Sequence, residues 1–258
     1  MKYGDYTHLA KYYNYRPGYS ILVLDYIKSY IQGEYGNIEK IADIGAGTGK
    51  LTENLSSIGL QGYAIEPNFY MRKEGMKNIK KTPGFTWIEG RAEKTNLEEN
   101  SVDWILMGSS FHWTNYKEAV KEFYRILKPG GYFTAIWNPR NISSSELHKK
   151  IEECVYNEMP NMKRVSSGKD IDTNKMKTVL LKEGLFKNLI FIEAEHMEEM
   201  TKERYMNIWK SVNDIRVQAG EEKFQVIMSK IEEIIEELES ISVSYLSRSW
   251  TVKSSKYN

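Results

Sequence analysis

The feature that most constrains this chain is a glycine-rich turn directly after a short apolar segment. Residues 41–50 read Ile-Ala-Asp-Ile-Gly-Ala-Gly-Thr-Gly-Lys, with glycines at positions 45, 47 and 49. Glycine adopts positive φ angles at no steric cost and, lacking a side chain, lets a ligand approach the backbone closely. In α/β proteins, a strand that runs through such a turn into a helix is typical of small-molecule binding. The segment therefore predicts a ligand site, and its spacing has to identify the ligand.

Spacing distinguishes three kinds of glycine loop. A phosphate-binding P-loop requires G-x-x-x-x-G-K-[ST], but Ile44 stands where the first glycine is needed and Leu51 follows Lys50. A dinucleotide-binding turn requires G-x-G-x-x-G, but Lys50 or Thr52 stands where the third glycine is needed. Both patterns fail. The pattern that remains, D-x-G-x-G-x-G over 43–49, has to be interpreted with the rest of the chain.

Size and charge narrow the class of protein. At 258 residues the chain suits one α/β domain with additions. Its 36 basic and 35 acidic residues nearly cancel, so no nucleic-acid partner is expected. The single Cys154 excludes an intrachain disulfide and favours a reducing, cytoplasmic location. No apolar run is long enough to predict a membrane span, and no apolar segment after the N-terminus predicts a secretory signal.

Hydrophobic periodicity predicts alternating strands and helices. The predicted strands are 40–44, 62–65, 85–89, 102–107, 132–137, 189–193 and 241–252. The predicted helices are 20–31, 50–56, 69–77, 116–127, 144–158, 203–217 and 221–239, with a helix stop at 128–131 and a polar, mobile loop at 161–175. This alternation implies a doubly wound, largely parallel sheet.

Glu66 ends the second predicted strand, 17 residues beyond Gly49. Ligands of open α/β sheets bind at the carboxyl ends of the strands, and a carboxylate there can accept hydrogen bonds from both ribose hydroxyls. Glu66 therefore indicates a nucleoside, without separating one nucleoside cofactor from another. The alternative is that Glu66 is only an acidic residue at the start of a helix, with its side chain facing solvent.

Two further segments follow predicted strands. After the third strand, Ala92 and Glu93 can offer a backbone N–H and an acceptor to an adenine ring. After the fourth, residues 107–113 read Met-Gly-Ser-Ser-Phe-His-Trp, where small residues allow close approach and aromatic residues can enclose a reacting group. His112 is a candidate general base near neutral pH. A histidine that only orients the loop is an equally open alternative.

Together these motifs resemble the class I S-adenosylmethionine-dependent methyltransferases. The resemblance rests on the order and spacing of five features: 43–49, Glu66, Ala92-Glu93, 109–113 and the Leu-Lys-Pro-Gly-Gly sequence at 127–131. The Phe-His-Trp stretch with Glu122 and Arg125 resembles the small-molecule branch that contains ubiquinone/menaquinone-type and aconitate-type methyltransferases. Residues 12–19, Tyr-Tyr-Asn-Tyr-Arg-Pro-Gly-Tyr, resemble the Y-x-x-x-R-P-x-Y segment common in that branch.

The resemblance implies an α/β, Rossmann-like, doubly wound fold with a seven-stranded, mostly parallel sheet, helices on both faces and a small helical cap. It implies S-adenosyl-L-methionine as cofactor, bound by Tyr12, Arg16, Asp43, Gly45, Ala46, Gly47, Gly49, Glu66, Pro67, Ala92, Glu93, Met107 and Ser109. Arg16 is expected near the carboxylate of the cofactor, or alternatively as a brace that reaches Asp43. Arg91 stands where the family commonly has an aspartate. The side-chain contact to the adenine amino group is therefore expected from Glu93. The expected substrate residues are Tyr19, Phe111, Trp113, Trp137, Asn138 and Trp209, with segments 141–180 and 203–217.

We therefore expect one methyltransferase domain over 1–258. It comprises an N-terminal lid and helix (1–35), a cofactor-binding core (36–140), cap and substrate elements (141–185 and 201–240) and the last strands (187–195 and 241–252). The expected reaction is methyl transfer to a small molecule by in-line displacement, in a monomer or homodimer. The alternatives are an NAD-linked oxidoreductase, an RNA or protein methyltransferase, and a cofactor-binding protein without turnover. No metal is expected, because the His and Cys residues lack ligand spacing.

Overall fold

A seven-stranded sheet forms the centre of the protein. The computed structural model describes residues 7–163 and 171–256. The strands are β1 (Ile41–Ile44), β2 (Gly62–Ile65), β3 (Phe85–Ile88), β4 (Val102–Gly108), β5 (Leu127–Trp137), β6 (Phe186–Met200) and β7 (Ile241–Ser254). Their order across the sheet is β3-β2-β1-β4-β5-β7-β6, and all neighbours are parallel except that β7 runs antiparallel to β5 and β6. The predicted seven-stranded, mostly parallel sheet is confirmed.

Helices cover both faces of this sheet. Their bounds are α1 (Ala10–Tyr13), α2 (Ile21–Tyr35), α3 (Lys50–Ser57), α4 (Phe69–Lys77), α5 (Tyr116–Ile126), α6 (Glu146–Glu158), α7 (Thr173–Leu181), α8 (Lys202–Lys210) and α9 (Asn213–Ile234). Local sequence explains several starts: Ser20, Asn68, Asn115 and Ser145 each accept a hydrogen bond from a backbone N–H in the first turn of the following helix.

The core is divided by the sheet into two layers, with a third cluster in the cap. On one face, side chains of α5 and α7 pack on alternate strand residues such as Ile105. On the other face, side chains of α2 and α3 pack on the neighbouring strand residues Trp104 and Leu106. The cap cluster joins α6, α8 and α9 to the ends of β6 and β7. The alternation within β4 follows from the period of two in a strand.

The second half of the chain departs most from the sequence prediction. β6 spans Phe186–Met200 and not only 189–193, because it is an edge strand whose polar residues alternate with half-buried ones along its pairing with β7. The predicted helix 203–217 is wrong: α8 ends at Lys210, and a second helix begins at Asn213. Gly220, with φ 73°, then interrupts α9 next to the predicted start at residue 221.

Smaller differences have local causes. α2 continues through Gly33 to Tyr35, because Gly33 is helical and it is Gly36, with φ 99°, that ends the helix. β5 begins at Leu127, which pairs with Val102 before a shift in register. The predicted loop 161–175 gives way to α7 at Thr173, with Asp172 as its N-cap, while residues 164–170 lie outside the described part of the chain.

Lys256 ties the C-terminal segment to the end of α5. Its ammonium donates to the backbone carbonyls of Tyr124, Arg125 and Leu127 at 3.1–3.2 Å and to the side chain of Asn100 at 2.5 Å. The last carbonyls of a helix have no partner within the helix, and a cation there satisfies them and interacts favourably with the helix dipole. Lys256 is only 5% exposed, so water does not readily replace it.

Lys256→Met is expected to lower the free energy of unfolding by about 2–4 kcal/mol, because three backbone carbonyls lose a charged donor. Urea unfolding followed by circular dichroism measures this. The matched control is Lys121→Met, whose ammonium is 52% exposed and pairs with Glu118 at 3.5 Å. This control should change stability by less than about 0.5 kcal/mol. Equal effects of the two variants would contradict the capping role.

Candidate active site

A cavity of about 850 Å³ opens at the carboxyl ends of β1, β2, β4 and β5. Its wall contains many of the predicted site residues: Arg16, Tyr19, Asp43, Gly45, Ala46, Gly47, Glu66, Pro67, Ala92, Glu93, Met107, Ser109, Trp113 and Asn138. Parallel strands bring their carboxyl ends to one edge, so residues that are far apart in sequence meet there. The cavity continues between this edge and the cap, where α6, α8 and β7 contribute to its wall.

The glycine turn after β1 is held against β2. Gly45 and Gly47 adopt φ angles of 72° and 60°. The N–H groups of Gly45 and Ala46 both donate to the carbonyl of Ile65, at 2.8 and 3.0 Å. A Cβ atom at Gly45 would lie 2.7 Å from the hydroxyl oxygen of Ser110, which itself contacts the carbonyl of Ile44 at 3.2 Å. The turn is therefore closed on both sides, and only glycine fits at position 45.

Glu66 is positioned by the backbone on either side of it. One carboxylate oxygen accepts from the N–H of Gly47 and the other from the N–H of Asn68, both at 2.8 Å. The side chain is 7% exposed and borders the cavity. Burial raises the pKa of Glu66, although both N–H groups and Arg72 favour the ionised form. Each oxygen keeps a lone pair for a hydroxyl donor, which is what a ribose offers.

Asp43 and Thr48 each have a buried polar atom without a hydrogen-bond partner in the described part of the chain. Asp43 accepts a 2.6 Å hydrogen bond from Thr52 through one oxygen, whereas no described residue bonds its Oδ1. The hydroxyl of Thr48 is likewise buried without a partner among the described residues, and both side chains border the cavity. Burial raises the pKa of Asp43 to about 7, and the charge of Glu66 adds to the effect. Such atoms are costly to leave unpaired, and because both side chains border the cavity they are candidates to bind polar groups of a ligand.

The loop after β4 forms the next part of the wall. Ser109 has φ 51°, unusual for a residue other than glycine, and its hydroxyl accepts from Tyr19 at 3.0 Å. In the segment after β3, Glu93 accepts from the N–H of Asn115 at 2.7 Å. Asn138, after β5, donates to the carbonyl of Gly18 at 2.8 Å and thereby joins the N-terminal segment to the sheet.

Other predicted site residues lie outside the cavity wall. Phe111, Trp137 and Trp209 are at most 1% exposed and belong to the hydrophobic clusters, because large aromatic side chains complete the core here. Gly49 caps α3, and a Cβ atom there would meet Trp87 at 3.1 Å. Tyr12 lies beside Lys11 and Lys210, whose ammonium groups are 4.8 and 5.9 Å from its ring.

His112 is not placed as a general base. It does not border the cavity, and its Nδ1 accepts from the indole N–H of Trp137 at 3.2 Å. Burial lowers its pKa to about 4, so the ring is neutral at neutral pH. The imidazole lies 4.5 Å from the ring of Trp113, which does border the cavity. The arrangement favours the alternative in which His112 orients the loop.

Arg16 braces the N-terminal segment, although not through Asp43. Its guanidinium donates to the hydroxyl of Ser211 at 2.8 Å and to the carbonyl of Ser211 at 3.0 Å, between α8 and α9. It also lies 4.0 Å from the ring of Tyr13. The remaining face of Arg16 borders the cavity.

Sequence reasoning missed several residues of the wall. Thr48, Asn68 and Met71 flank the glycine turn, and Arg140 follows β5, so the rule on strand ends contained enough signal to find them. Glu152 and Tyr156 lie within segment 141–180, which was expected to contribute to the substrate pocket, whereas Tyr245 had no such signal. They come from α6 and β7, whose position over the site depends on the packing of the cap. No group of three or more His, Cys, Asp or Glu side chains within the described ranges is arranged to hold a metal ion.

Comparisons with known sequences match part of the chain to methyltransferases. Residues 42–135 match the family model of a methyltransferase domain. An uncharacterized methyltransferase of Mycobacterium tuberculosis is 36% identical over 102 residues, which is 40% of this chain and 41% of that protein. An uncharacterized methyltransferase of Schizosaccharomyces pombe is 31% identical over 151 residues, 57% of this chain and 59% of that protein. Demethylmenaquinone methyltransferase of Chlorobaculum tepidum is 30% identical over 115 residues, 42% of this chain and 46% of that protein.

A solved structure agrees over nearly the whole chain. A proposed type II methyltransferase from Anaeromyxobacter dehalogenans superposes with a TM-score of 0.63 at 15% identity, covering 92% of this chain and 97% of that one. This likeness concerns the fold. The sequence matches cover about half the length of the curated relatives. The predicted resemblance to class I methyltransferases and the predicted Rossmann-like fold are confirmed.

Gly45→Ala tests whether the turn tolerates a side chain. The positive φ and the contact with Ser110 are expected to lower the free energy of unfolding by about 1–3 kcal/mol. Gly33→Ala is the matched control, because Gly33 lies in α2 with a helical φ and nothing within 4 Å of its Cβ position. It should leave stability unchanged or raise it by up to about 1 kcal/mol. Urea unfolding measures both, and a neutral Gly45→Ala would show that the turn is not sterically closed.

Proposed function

We propose that this chain, which carries a methyltransferase domain over residues 42–135, transfers a methyl group from S-adenosyl-L-methionine to a small molecule. The observation that carries the proposal is the meeting of the glycine turn, Glu66 and the unpartnered Asp43 oxygen at one cavity. These groups offer, in order, a close backbone approach, a diol acceptor and an acceptor for an ammonium group. S-adenosyl-L-methionine carries a ribose diol and an α-ammonium group that match them.

The residues present fit this cofactor. Glu66 would hold the ribose hydroxyls, and Ala92 and Glu93 would flank the adenine. Asp43 and Thr48 would hold the amino-acid end, beside the turn at Gly45 and Gly47. When bound, the cofactor supplies an activated methyl group on its sulfonium, so the hard chemistry belongs to the cofactor.

The protein's part is to align the acceptor for in-line displacement and to exclude water. Trp113 and Asn138 border the cavity where the acceptor would lie, and the side chains of Ile208 and Val212 close it from the cap. His112 stays neutral and holds the aromatic loop through Trp137. We infer that the acceptor loses its proton to solvent or brings a nucleophile that carries no proton.

A small acceptor is supported by the position of the cavity between the sheet and the cap, and by the near balance of basic and acidic residues. The relative from Chlorobaculum tepidum is named for demethylmenaquinone, which is not a macromolecule. No helix of the described ranges has both the length and the apolar character needed to cross a bilayer. A cytoplasmic location and a monomeric or homodimeric state stay predictions.

Glu66→Gln is expected to weaken binding of S-adenosylhomocysteine by roughly 10- to 100-fold, because the hydroxyls lose a charged acceptor. Isothermal titration calorimetry measures the affinity, and circular dichroism checks the fold. The control Glu89→Gln changes a carboxylate that is 74% exposed and pairs with Arg72. It should bind like the parent protein. Unchanged affinity of Glu66→Gln would contradict the assigned ribose contact.

The pKa of Asp43 predicts a pH-dependent affinity. The pKa of Asp43 is about 7. At a pH below this value its carboxyl group is protonated and neutral, and at a pH above it the carboxylate attracts the ligand's ammonium group. Affinity for S-adenosylhomocysteine should therefore rise roughly tenfold from about pH 6 to about pH 8, by linkage between ligand and proton binding. Calorimetry at several pH values measures the slope.

Asp43→Asn should bind more weakly and lose this slope, whereas Asp25→Asn, on the exposed side of α2, should keep it. A slope that survives in Asp43→Asn would assign the titration to another group. An affinity that stays constant in the parent protein would contradict the contact with the ammonium group.

A further inference from the structure

Arg140 lies at the end of the cavity away from the glycine turn. It follows β5 and forms an isolated antiparallel bridge with Tyr245 of β7, so its backbone position is held by the sheet. Its guanidinium stacks over the ring of Trp209, with the central carbon 4.2 Å from the ring centroid. The side chain also borders the cavity. The sheet and the cap thus hold one cation against the space where an acceptor would bind.

Arg140 keeps its positive charge although it is buried. Burial lowers its pKa, but interactions with Tyr205, Tyr245 and Glu152 outweigh this effect and leave the pKa above its ordinary value. Across the described residues, no ion pair within 4.0 Å includes Arg140. A buried cation without a close counter-ion is costly, so a ligand that supplies one gains from binding here.

A second stacked arginine in the cap shows what a purely structural role looks like. The guanidinium of Arg216 lies 4.1 Å from the ring centroid of Phe224, and it pairs with Glu221 at 2.6 Å. Arg216 does not border the cavity. Arg140 has the same stacking contact but faces the cavity instead of a paired carboxylate.

The groups around Arg140 describe the rest of the ligand. Burial raises the pKa of Tyr245 to about 12, so its hydroxyl stays protonated and can donate to an anion. Burial and the charge of Arg140 lower the pKa of His148 to about 4, so it adds no positive charge. Glu152 borders the same end of the cavity and opposes a second negative charge. The apolar side chains of Ile142, Ile208 and Val212 line the space beside them.

We propose that Arg140 binds the carboxylate of the methyl acceptor, and that this acceptor is a monoanionic carboxylic acid with an apolar body. The planar guanidinium can meet a carboxylate with two parallel hydrogen bonds. The aliphatic wall then takes the body of the acid. The inference rests on the proposed function in one respect only, since it assigns the cavity to the acceptor of a methyl transfer.

The test compares ligands that differ only in the head group. The probes are 3-phenylpropionate, its neutral amide 3-phenylpropionamide, and 2-phenylethylphosphonate, whose head group has a second ionisable proton, with hexanoate and octanoate as carboxylates of other shape. Calorimetry measures their affinities for the full chain, with and without saturating S-adenosylhomocysteine. The variants are Arg140→Met, Arg140→Lys and the matched control Arg216→Met.

In the parent protein and in Arg216→Met, 3-phenylpropionate should bind at least tenfold more tightly than its amide and more tightly than the phosphonate. Arg140→Met should abolish the preference over the amide. Arg140→Lys should keep part of it, because lysine retains the positive charge but lacks the planar pair of donors of a guanidinium. Thermal unfolding of each variant reports any loss of fold separately. A structural Arg140 would lower the melting temperature but leave the ratio of carboxylate to amide affinity unchanged.

The proposal is overturned if carboxylate and amide bind equally, if the phosphonate binds best, if Arg140→Met keeps the preference, or if no carboxylate of the series binds at millimolar concentration. Failure of the proposed function is a separate result. It would show as no binding of S-adenosylhomocysteine, while the carboxylate titrations without cofactor still report on Arg140.

Discussion

The contact between the glycine turn and the second strand is the constraint on which the site depends. The carbonyl of Ile65 accepts from both Gly45 and Ala46, and the next residue, Glu66, accepts from Gly47. The turn and the carboxylate therefore position each other through hydrogen bonds across two adjacent strand ends. Because Gly45 has no room for a side chain, the turn has little freedom to move away from Ser110.

The two ends of the cavity are built from different parts of the chain. The ends of strands β1, β2 and β4 supply polar groups to the cavity wall, whereas the far end combines Arg140 with residues of the cap. Antiparallel β7 makes this possible, because it brings Tyr245 beside Arg140. Asn138, after β5, links the N-terminal segment to β7, since it donates to the carbonyl of Gly18 and accepts from the hydroxyl of Ser247 at 3.0 Å.

The core of this protein is better stabilised than the wall of its cavity. The core layers are apolar and closely packed, and buried Lys256 has several acceptors. Around the cavity, by contrast, Asp43 keeps an unpartnered oxygen, Ser109 holds a positive φ and Arg140 has no close counter-ion among the described residues. Buried polar groups and strained backbone cost free energy, and they persist where a ligand can satisfy them.

The sequence by itself determined the first half of the sheet, the glycine turn and the place of Glu66, because these follow from local rules: apolar strands, positive φ at glycine and binding at strand ends. It also identified many of the residues that border the cavity. Only the tertiary structure decided that Phe111, Trp137 and Trp209 belong to the core, that His112 serves Trp137, and that Arg140 faces the cavity beside Tyr245. Whether an aromatic or charged side chain lines a cavity or fills a core depends on which distant elements pack against it, and periodicity along the chain does not contain that information.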